Sequence, residues 1–127
     1  MELNEISGAI IDHSIKIHSS LGPGLLESVY QRILAYELRK SNFTVETEVP
    51  VPVRWDGHII DEGFRADMIV NGLVLIELKS VETISKVHPK QVLTYLKLTK
   101  LKLGLLINFG APLLKDGIHR IANGVSE

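Results

Sequence analysis

The sequence predicts a mixed α/β fold, in which helices flank a mixed β-sheet. Two helix-like apolar patterns come first, a series of strand-like segments with turn dipeptides follows, and a further helical pattern separates the last strands. The 127 residues have the length of one domain, and no repeat or linker divides them. We therefore expect residues 1–127 to form a single domain.

Two helices are predicted at the start of the chain. Apolar residues recur at helical spacing over residues 3–20, up to the break at Gly22-Pro23-Gly24. The same spacing returns from about Leu25 to Ser41, among residues that favour helix. Glu27 falls in the first turn of this second helix, where an acid is favourable beside the positive end of the helix dipole.

Four strands are predicted next, because the apolar period changes to two after the second helix. Asp56-Gly57 and Asn71-Gly72 are typical of hairpin turns. Pro50 and Pro52 mark the end of the first strand. The expected strands are residues 43–49, 58–63, 64–70 and 73–79.

The remaining chain predicts a third helix, at residues 88–99, and two more strands, at 103–109 and 117–122. The expected order of elements is ααββββαββ. Because the third helix separates strands 73–79 and 103–109, those strands should be parallel, with a right-handed crossover between them.

Composition limits the classes of function. The chain has no cysteine, so it has neither disulfides nor a thiolate zinc site, and an intracellular location fits. The N-terminus has no signal-peptide pattern and the apolar runs are only strand-sized, so we expect a cytoplasmic protein without membrane contact. The net charge of −1 is not typical of a protein that binds nucleic acid non-specifically through an overall excess of positive charge. Any contact with DNA or RNA must therefore be local.

Charged residues on the predicted hairpin form the strongest chemical signal. On strand 73–79, the period of two places Glu77 and Lys79 on one face. Counting outward from Asn71-Gly72 pairs Val70 near Leu73, so Asp67 should fall near Ile76 with Glu77 adjacent. Two carboxylates and one ammonium should therefore converge.

Two neighbouring carboxylates repel each other unless a cation lies between them, and oxygen ligands favour Mg²⁺ or Mn²⁺. Such an ion would activate a water molecule and polarise a phosphate, while Lys79 would assist the attacking water or the developing charge. The sequence therefore indicates metal-dependent phosphodiester hydrolysis.

Asp67, followed after nine residues by Glu77-Leu78-Lys79, resembles the D…(D/E)XK signature of the PD-(D/E)XK nuclease superfamily. Ala66 stands where the signature has proline, a position at which that superfamily commonly varies. Gly24-Leu25-Leu26-Glu27-Ser28-Val29-Tyr30 resembles the motif that names the prokaryotic GxxExxY family within it. The resemblance extends over nearly the whole chain, up to Gly110.

The resemblance implies a restriction-endonuclease-like αβββαβ core with an extra N-terminal helix and additional strands. It implies Asp67 and Glu77 as metal ligands, Glu27 as the acid that completes the metal site, and Lys79 as the catalytic lysine. Gln91 and Tyr95 resemble a QxxxY element that supports the site or contacts DNA; being four residues apart, they share a helix face.

Some assignments remain open at this stage. Tyr30, one turn from Glu27, is expected to support the site, and Arg65 either contacts a phosphate or pairs with Asp67. Trp55 either packs on its turn or makes a protein or base-stacking contact. The five histidines have no zinc-site spacing.

The leading hypothesis is a Mg²⁺- or Mn²⁺-dependent nuclease acting on DNA. One alternative is a non-catalytic module that binds nucleic acid or protein on the same fold, and another is a structural, oligomerising domain. A homodimer or a protein partner would compensate for the low net charge.

Overall fold

A computed structural model describes residues 1–124, which form three helices, a five-stranded sheet and a separate two-stranded ribbon. The helices are α1 (Leu3–Leu21), α2 (Glu27–Lys40) and α3 (Val87–Thr99). The strands are β1 (Val45–Pro50), β2 (Val53–Trp55), β3 (His58–Ile60), β4 (Arg65–Val70), β5 (Val74–Lys79), β6 (Leu103–Asn108) and β7 (Ile118–Ala122). A 3₁₀ turn at Leu114–Gly117 precedes β7.

The main sheet has the strand order β1-β4-β5-β6-β7. β5 and β6 are parallel, whereas the other neighbouring pairs are antiparallel. α3 connects the two parallel strands, as the sequence predicted. The expected mixed α/β architecture is confirmed, and it is consistent with a restriction-endonuclease-like fold.

Both faces of the sheet are covered by helices. The core beneath α1 and α2 contains Val74, Ile76 and Leu78, while Leu75 belongs to a second core with Tyr95 of α3. This alternation confirms the predicted period of two along β5. The odd-numbered positions of β5 therefore face the side of the sheet that α3 covers.

The number of strands before β5 was predicted wrongly. Val53–Trp55 forms a strand that pairs with His58–Ile60 across the expected turn, so the order is ααβββββαββ. Asp56 and Gly57 both have positive φ, 48° and 77°, as a tight hairpin turn requires. The strand expected over 58–63 ends at Ile60, before Gly63 adopts a φ of 84°.

The pairing across Asn71-Gly72 also differs from the prediction by one residue. Leu73 lies in the turn and donates its backbone N–H to the carbonyl of Val70 at 3.0 Å, so Val70 pairs with Val74. Strand β5 consequently begins one residue later than expected. The shift moves Asp67 from a position near Ile76 to one directly across from Glu77.

The other predicted bounds are correct to within about two residues, and the largest of these differences are at the start of α2 and of β1. Helix α2 begins at Glu27 because Leu26, its N-cap, is extended. Helix α1 ends before Gly22, whose φ of 76° is left-handed. None of the helices within residues 1–124 combines the length and the apolar character needed to cross a membrane.

Candidate metal centre

Asp67 and Glu77 face each other across β4 and β5, at the end of the ladder that joins these strands. Met68 and Ile76 are the last residue pair of the ladder. Beyond them, Glu77 Oε1 accepts a hydrogen bond from the backbone N–H of Asp67 at 3.1 Å, and Asp67 Oδ2 accepts one from the N–H of Leu78 at 2.7 Å. The carboxylates thus replace the backbone acceptors of the ladder and are held in defined positions.

Burial makes the two charges costly to hold side by side. Glu77 is only 6% exposed. Burial, together with the neighbouring charge of Asp67, raises the pKa of Glu77 to about 8. Burial also raises the pKa of Asp67, and its hydrogen bond from Leu78 only partly opposes this. At neutral pH the pair therefore retains a proton unless a cation replaces it.

Lys79 lies two residues beyond Glu77 on the same strand face and is half-buried. Its ammonium lowers the pKa of both Asp67 and Glu77, although less than burial raises them. The structure therefore brings the two carboxylates together and places the ammonium of Lys79 within electrostatic reach of both.

The segment after Lys79 is fixed by Asn108 at the end of β6. Lys79 and Asn108 are paired in the parallel ladder. The amide of Asn108 accepts hydrogen bonds from the N–H groups of Val81 and Gly110, both at 3.0 Å, and donates one to the carbonyl of Val81 at 2.9 Å. This buried amide anchors the exit of β5, so the end of the strand that carries Glu77 and Lys79 is rigid.

Glu27 approaches the same end of the sheet from the first turn of α2. Ser80 donates a hydrogen bond to the carbonyl of Leu25 at 2.7 Å, which ties the start of α2 to the exit of β5. The side chain of Glu27 is exposed, and its charge contributes to the raised pKa of Asp67. Glu27 therefore lies within electrostatic reach of the carboxylate pair.

Tyr30 holds the segment that leads to Glu27. Its buried ring stacks on Phe109, with centroids 4.3 Å apart, and its hydroxyl donates to the carbonyl of Gly22 and accepts from the N–H of Leu25 at 3.2 Å. Both hydrogen-bond partners of the hydroxyl are thus backbone groups of the loop before α2. Tyr30 therefore fixes the backbone of the loop that precedes Glu27.

Gln91 and Tyr95 lie on one face of α3 and contact each other. Gln91 Nε2 donates a hydrogen bond to the hydroxyl of Tyr95 at 3.1 Å. Burial, with the nearby charge of Glu77, raises the pKa of Tyr95. The structure therefore places Tyr95, with Gln91 bonded to it, within electrostatic reach of Glu77, a placement that the four-residue spacing alone could not predict.

Arg65 begins β4, two residues before Asp67, and its side chain is exposed. Within the described residues, Arg65 makes no ion pair with Asp67, so the structural alternative to a phosphate contact is not observed. Arg65 therefore stands at the edge of the site with its charge directed to solvent.

Glu48 of β1 is a site neighbour that the sequence did not indicate. It occupies the position across from Asp67, between the pairs Thr47–Met68 and Val49–Ala66, and its φ is +51°. Its charge adds to the raised pKa of Asp67. The acidic alternation of β1 was visible, but the pairing of β1 with β4 was needed to place Glu48 here.

The donor chemistry of this centre suits a hard divalent cation. Carboxylate oxygens are the ligands that Mg²⁺ and Mn²⁺ prefer, and a cation would relieve the repulsion between Asp67 and Glu77. Across residues 1–124, however, no three His, Cys, Asp or Glu side chains are grouped closely enough to hold a metal ion. Two carboxylates are therefore in position, and a third ligand would require Glu27 or Glu48 to reorient.

Comparisons with known proteins agree with this geometry. A family model described as the PD-(D/E)XK nuclease superfamily matches residues 4–121. Among solved structures, the crystal structure of SSO0001 is similar, with a TM-score of 0.55 and 25% sequence identity. That match covers 79% of this chain and 52% of the other, so this chain spans about half of that protein's length. No curated protein matches the sequence significantly.

Proposed function

Because the chain belongs to the PD-(D/E)XK nuclease superfamily, we propose that it hydrolyses phosphodiester bonds in DNA with Mg²⁺ or Mn²⁺ as cofactor. Membership of this superfamily implies a nucleic-acid substrate and a nuclease-like activity. The observation that carries the proposal is the buried pair of Asp67 and Glu77, with Lys79 on the same strand face.

Each residue has a distinct part in this proposal. Asp67 and Glu77 would hold the cation, and the N–H groups of Leu78 and Asp67 keep the two carboxylates in place. A bound divalent cation would polarise the scissile phosphate and lower the pKa of a water molecule. Lys79 donates hydrogen bonds to the attacking water or to the phosphate oxygens, on which negative charge develops.

The surrounding residues complete the centre. Glu27 supplies a further carboxylate from α2, and Tyr30 holds the backbone that precedes it. Gln91 and Tyr95 support the carboxylate pair from α3. Arg65, exposed at the start of β4, contacts a substrate phosphate.

The spacing of Gly24, Glu27 and Tyr30 supports a finer assignment, to the GxxExxY family. The structure offers a physical reason for that spacing. Tyr30 lies one turn after Glu27, and its hydroxyl bonds to Gly22 and Leu25, on either side of Gly24. The same short segment therefore both carries the acid and fixes its approach. We also regard the chain as one nuclease-like domain.

A second candidate is a non-catalytic module that binds nucleic acid or protein. One observation favours it: within the described part of the chain, no cluster of three metal-ligating side chains is formed. A module of this kind would keep the fold and the carboxylate pair without turnover.

Cleavage of labelled DNA by purified protein in Mn²⁺ or Mg²⁺ tests the proposal, with Glu77→Ala and Lys79→Ala as inactive variants. Glu46→Ala serves as the matched control, because Glu46 is an exposed acid of β1. Activity should vanish in both site variants and with EDTA, and persist in the control. Cleavage that survives Glu77→Ala contradicts the assignment. DNA binding without cleavage and without calorimetric Mn²⁺ binding supports the binding module.

A further inference from the structure

Two exposed aromatic side chains lie on and next to the β2–β3 ribbon, in the segment that leads into β4. Trp55, at the tip of the ribbon, is 73% exposed, and Phe64, just before β4, is 45% exposed. Large aromatic surfaces in water are costly, and they usually mark a contact with a ligand or a partner.

Phe64 connects this surface to the candidate metal centre. Its ring packs against that of Tyr95, with centroids 6.3 Å apart and planes tilted by 57°. Tyr95 in turn lies close enough to Glu77 for the charge of that carboxylate to raise its pKa, in addition to burial. An aromatic group bound on Phe64 would therefore lie beside the carboxylates.

The ribbon leaves the sheet at the same end. β1 ends at Pro50, which pairs with Arg65, and the carbonyl of Phe64 accepts a hydrogen bond from the N–H of Val51 at 2.8 Å. These contacts close the base of the ribbon two residues before Asp67. The tip of the ribbon carries Trp55, which pairs with His58.

Each of these two aromatic residues has an exposed arginine as its chain neighbour: Arg54 precedes Trp55, and Arg65 follows Phe64. An aromatic ring stacks on the face of an unpaired base, and an arginine pairs with a phosphate. The ribbon and the start of β4 therefore carry both kinds of contact, ring and positive charge, that a single strand uses.

The charge of the chain favours a single strand over a duplex. The net charge is −1, and Asp56, Asp61 and Glu62 lie within or beside the ribbon. A duplex presents a denser array of phosphates and relies more on positive charge than a single strand does. Base stacking supplies affinity without a basic surface, and the faces of bases are available only where pairing is absent.

We infer that Trp55 and Phe64, with Arg54 and Arg65, form a stacking surface that selects single-stranded nucleic acid and leads it to the carboxylate pair. This inference rests on the proposed function and names its substrate class. The stacking surface binds unpaired bases whether or not the bound strand is cut, so binding and cleavage can be measured separately.

The intrinsic fluorescence of the protein tests the inference, because Trp55 is the single tryptophan of the chain. The probe is an oligothymidylate of about 16 nucleotides, the upper end of the range of known single-strand sites, added in EDTA so that no cleavage occurs. Its binding should quench the emission of Trp55. A blunt duplex of the same length should quench far less.

Anisotropy of a labelled copy of the same oligonucleotide measures the affinity of the variants. Trp55→Ala and Phe64→Ala should each weaken binding about tenfold, because stacking on one aromatic residue contributes roughly 1–3 kcal/mol per base. Trp55→Phe should bind nearly as wild type. Tyr36→Ala is the matched control, since Tyr36 is 63% exposed on α2, and it should change nothing.

Three results would overturn the inference: unchanged emission at saturating oligonucleotide, equal affinity of the wild type and both alanine variants, or equal binding of duplex and single strand. A blue shift of the emission that grows with protein concentration alone would also overturn it, because a second copy of the chain would then cover Trp55. Quenching without any Mn²⁺-dependent cleavage would retain the stacking surface and refute the proposed hydrolysis.

Discussion

Asp67 and Glu77 each bond to the backbone of the strand opposite their own: Glu77 Oε1 accepts from the N–H of Asp67, and Asp67 Oδ2 accepts from the N–H of Leu78. The pair therefore closes the gap that opens where the β4–β5 ladder ends. The same two side chains serve the sheet as acceptors and the candidate centre as ligands. Changing either one should affect stability and activity in different directions.

Replacing Glu77 by Gln should stabilise the metal-free protein at pH 9 while abolishing cleavage. Burial raises the pKa of Glu77 from its ordinary 4.5 to about 8, so between these values the folded protein holds a proton that the unfolded chain has released. The free energy of unfolding of the wild type therefore falls as pH rises through this window. Because Gln cannot ionise, the free energy of unfolding of the Glu77→Gln variant should not show this fall, which is about 1 kcal/mol or more in the wild type.

Urea unfolding in EDTA between pH 5 and pH 9 measures this difference. Glu46→Gln is the control, because it removes an exposed charge from β1 and should follow the wild-type profile. If the free energies of unfolding of the wild type and Glu77→Gln change in parallel with pH, ionisation of Glu77 does not destabilise the folded protein, and the prediction is wrong.

Mn²⁺ should raise the melting temperature more at pH 8.5 than at pH 6. The cation and the proton compete for the same carboxyl groups, and burial raises the pKa of both Asp67 and Glu77. Differential scanning fluorimetry at a fixed Mn²⁺ concentration detects the difference. The double variant Asp67→Asn, Glu77→Gln should show no shift at either pH, and a shift that survives in it would place the ion elsewhere.

Tyr30→Phe should lower the free energy of unfolding by about 1–2 kcal/mol and weaken Mn²⁺ binding. The variant keeps the stack on Phe109 but leaves the carbonyl of Gly22 and the N–H of Leu25 without their buried partner. The loop before Glu27 then loses its anchor. Calorimetric titration with Mn²⁺ measures the second effect, with Tyr36→Phe as an exposed control. If Tyr30→Phe is destabilised but binds Mn²⁺ with unchanged affinity, Glu27 does not contribute to the metal site.

Asn108→Ala should destabilise the protein by about 2 kcal/mol or more, since it leaves three backbone groups of Val81 and Gly110 without a partner. Asn123→Ala is a suitable comparison, because Asn123 donates a single side-chain hydrogen bond, to the carbonyl of Leu101. Chemical denaturation of both variants gives the two values. A smaller loss for Asn108→Ala than for Asn123→Ala would refute the proposed anchoring of the β5 exit.

Local patterns were sufficient to predict much of this molecule. The period of two along β5 correctly placed Glu77 and Lys79 on one face, and the helical pattern after β5 correctly predicted the parallel crossover. Asp56-Gly57 and Asn71-Gly72 were recognised as turns because their residues tolerate positive φ, which both pairs adopt. These features depend on residues close together in sequence.

The errors arose where the deciding contact is distant in sequence or is a fine detail of turn geometry. Leu73 belongs to the turn and not to the strand, which changed the register by one residue and placed Asp67 across from Glu77. The pairing of β1 with β4, which brings Glu48 to the site, has no signature in either segment. The bond between Ser80 and Leu25 likewise joins residues far apart in the chain.

The left-handed backbone of Glu48 has a consequence for the outer margin of the sheet. β1 is an edge strand, so its outer N–H and C=O groups are open to pairing with a strand of another molecule. Glu48 interrupts the regular pleat there, and the exposed Glu46 and Pro50 on either side add charge and a missing donor. A strand of another molecule that paired with this edge would desolvate these acids. The edge formed by β1 therefore disfavours intermolecular β-aggregation of the folded protein.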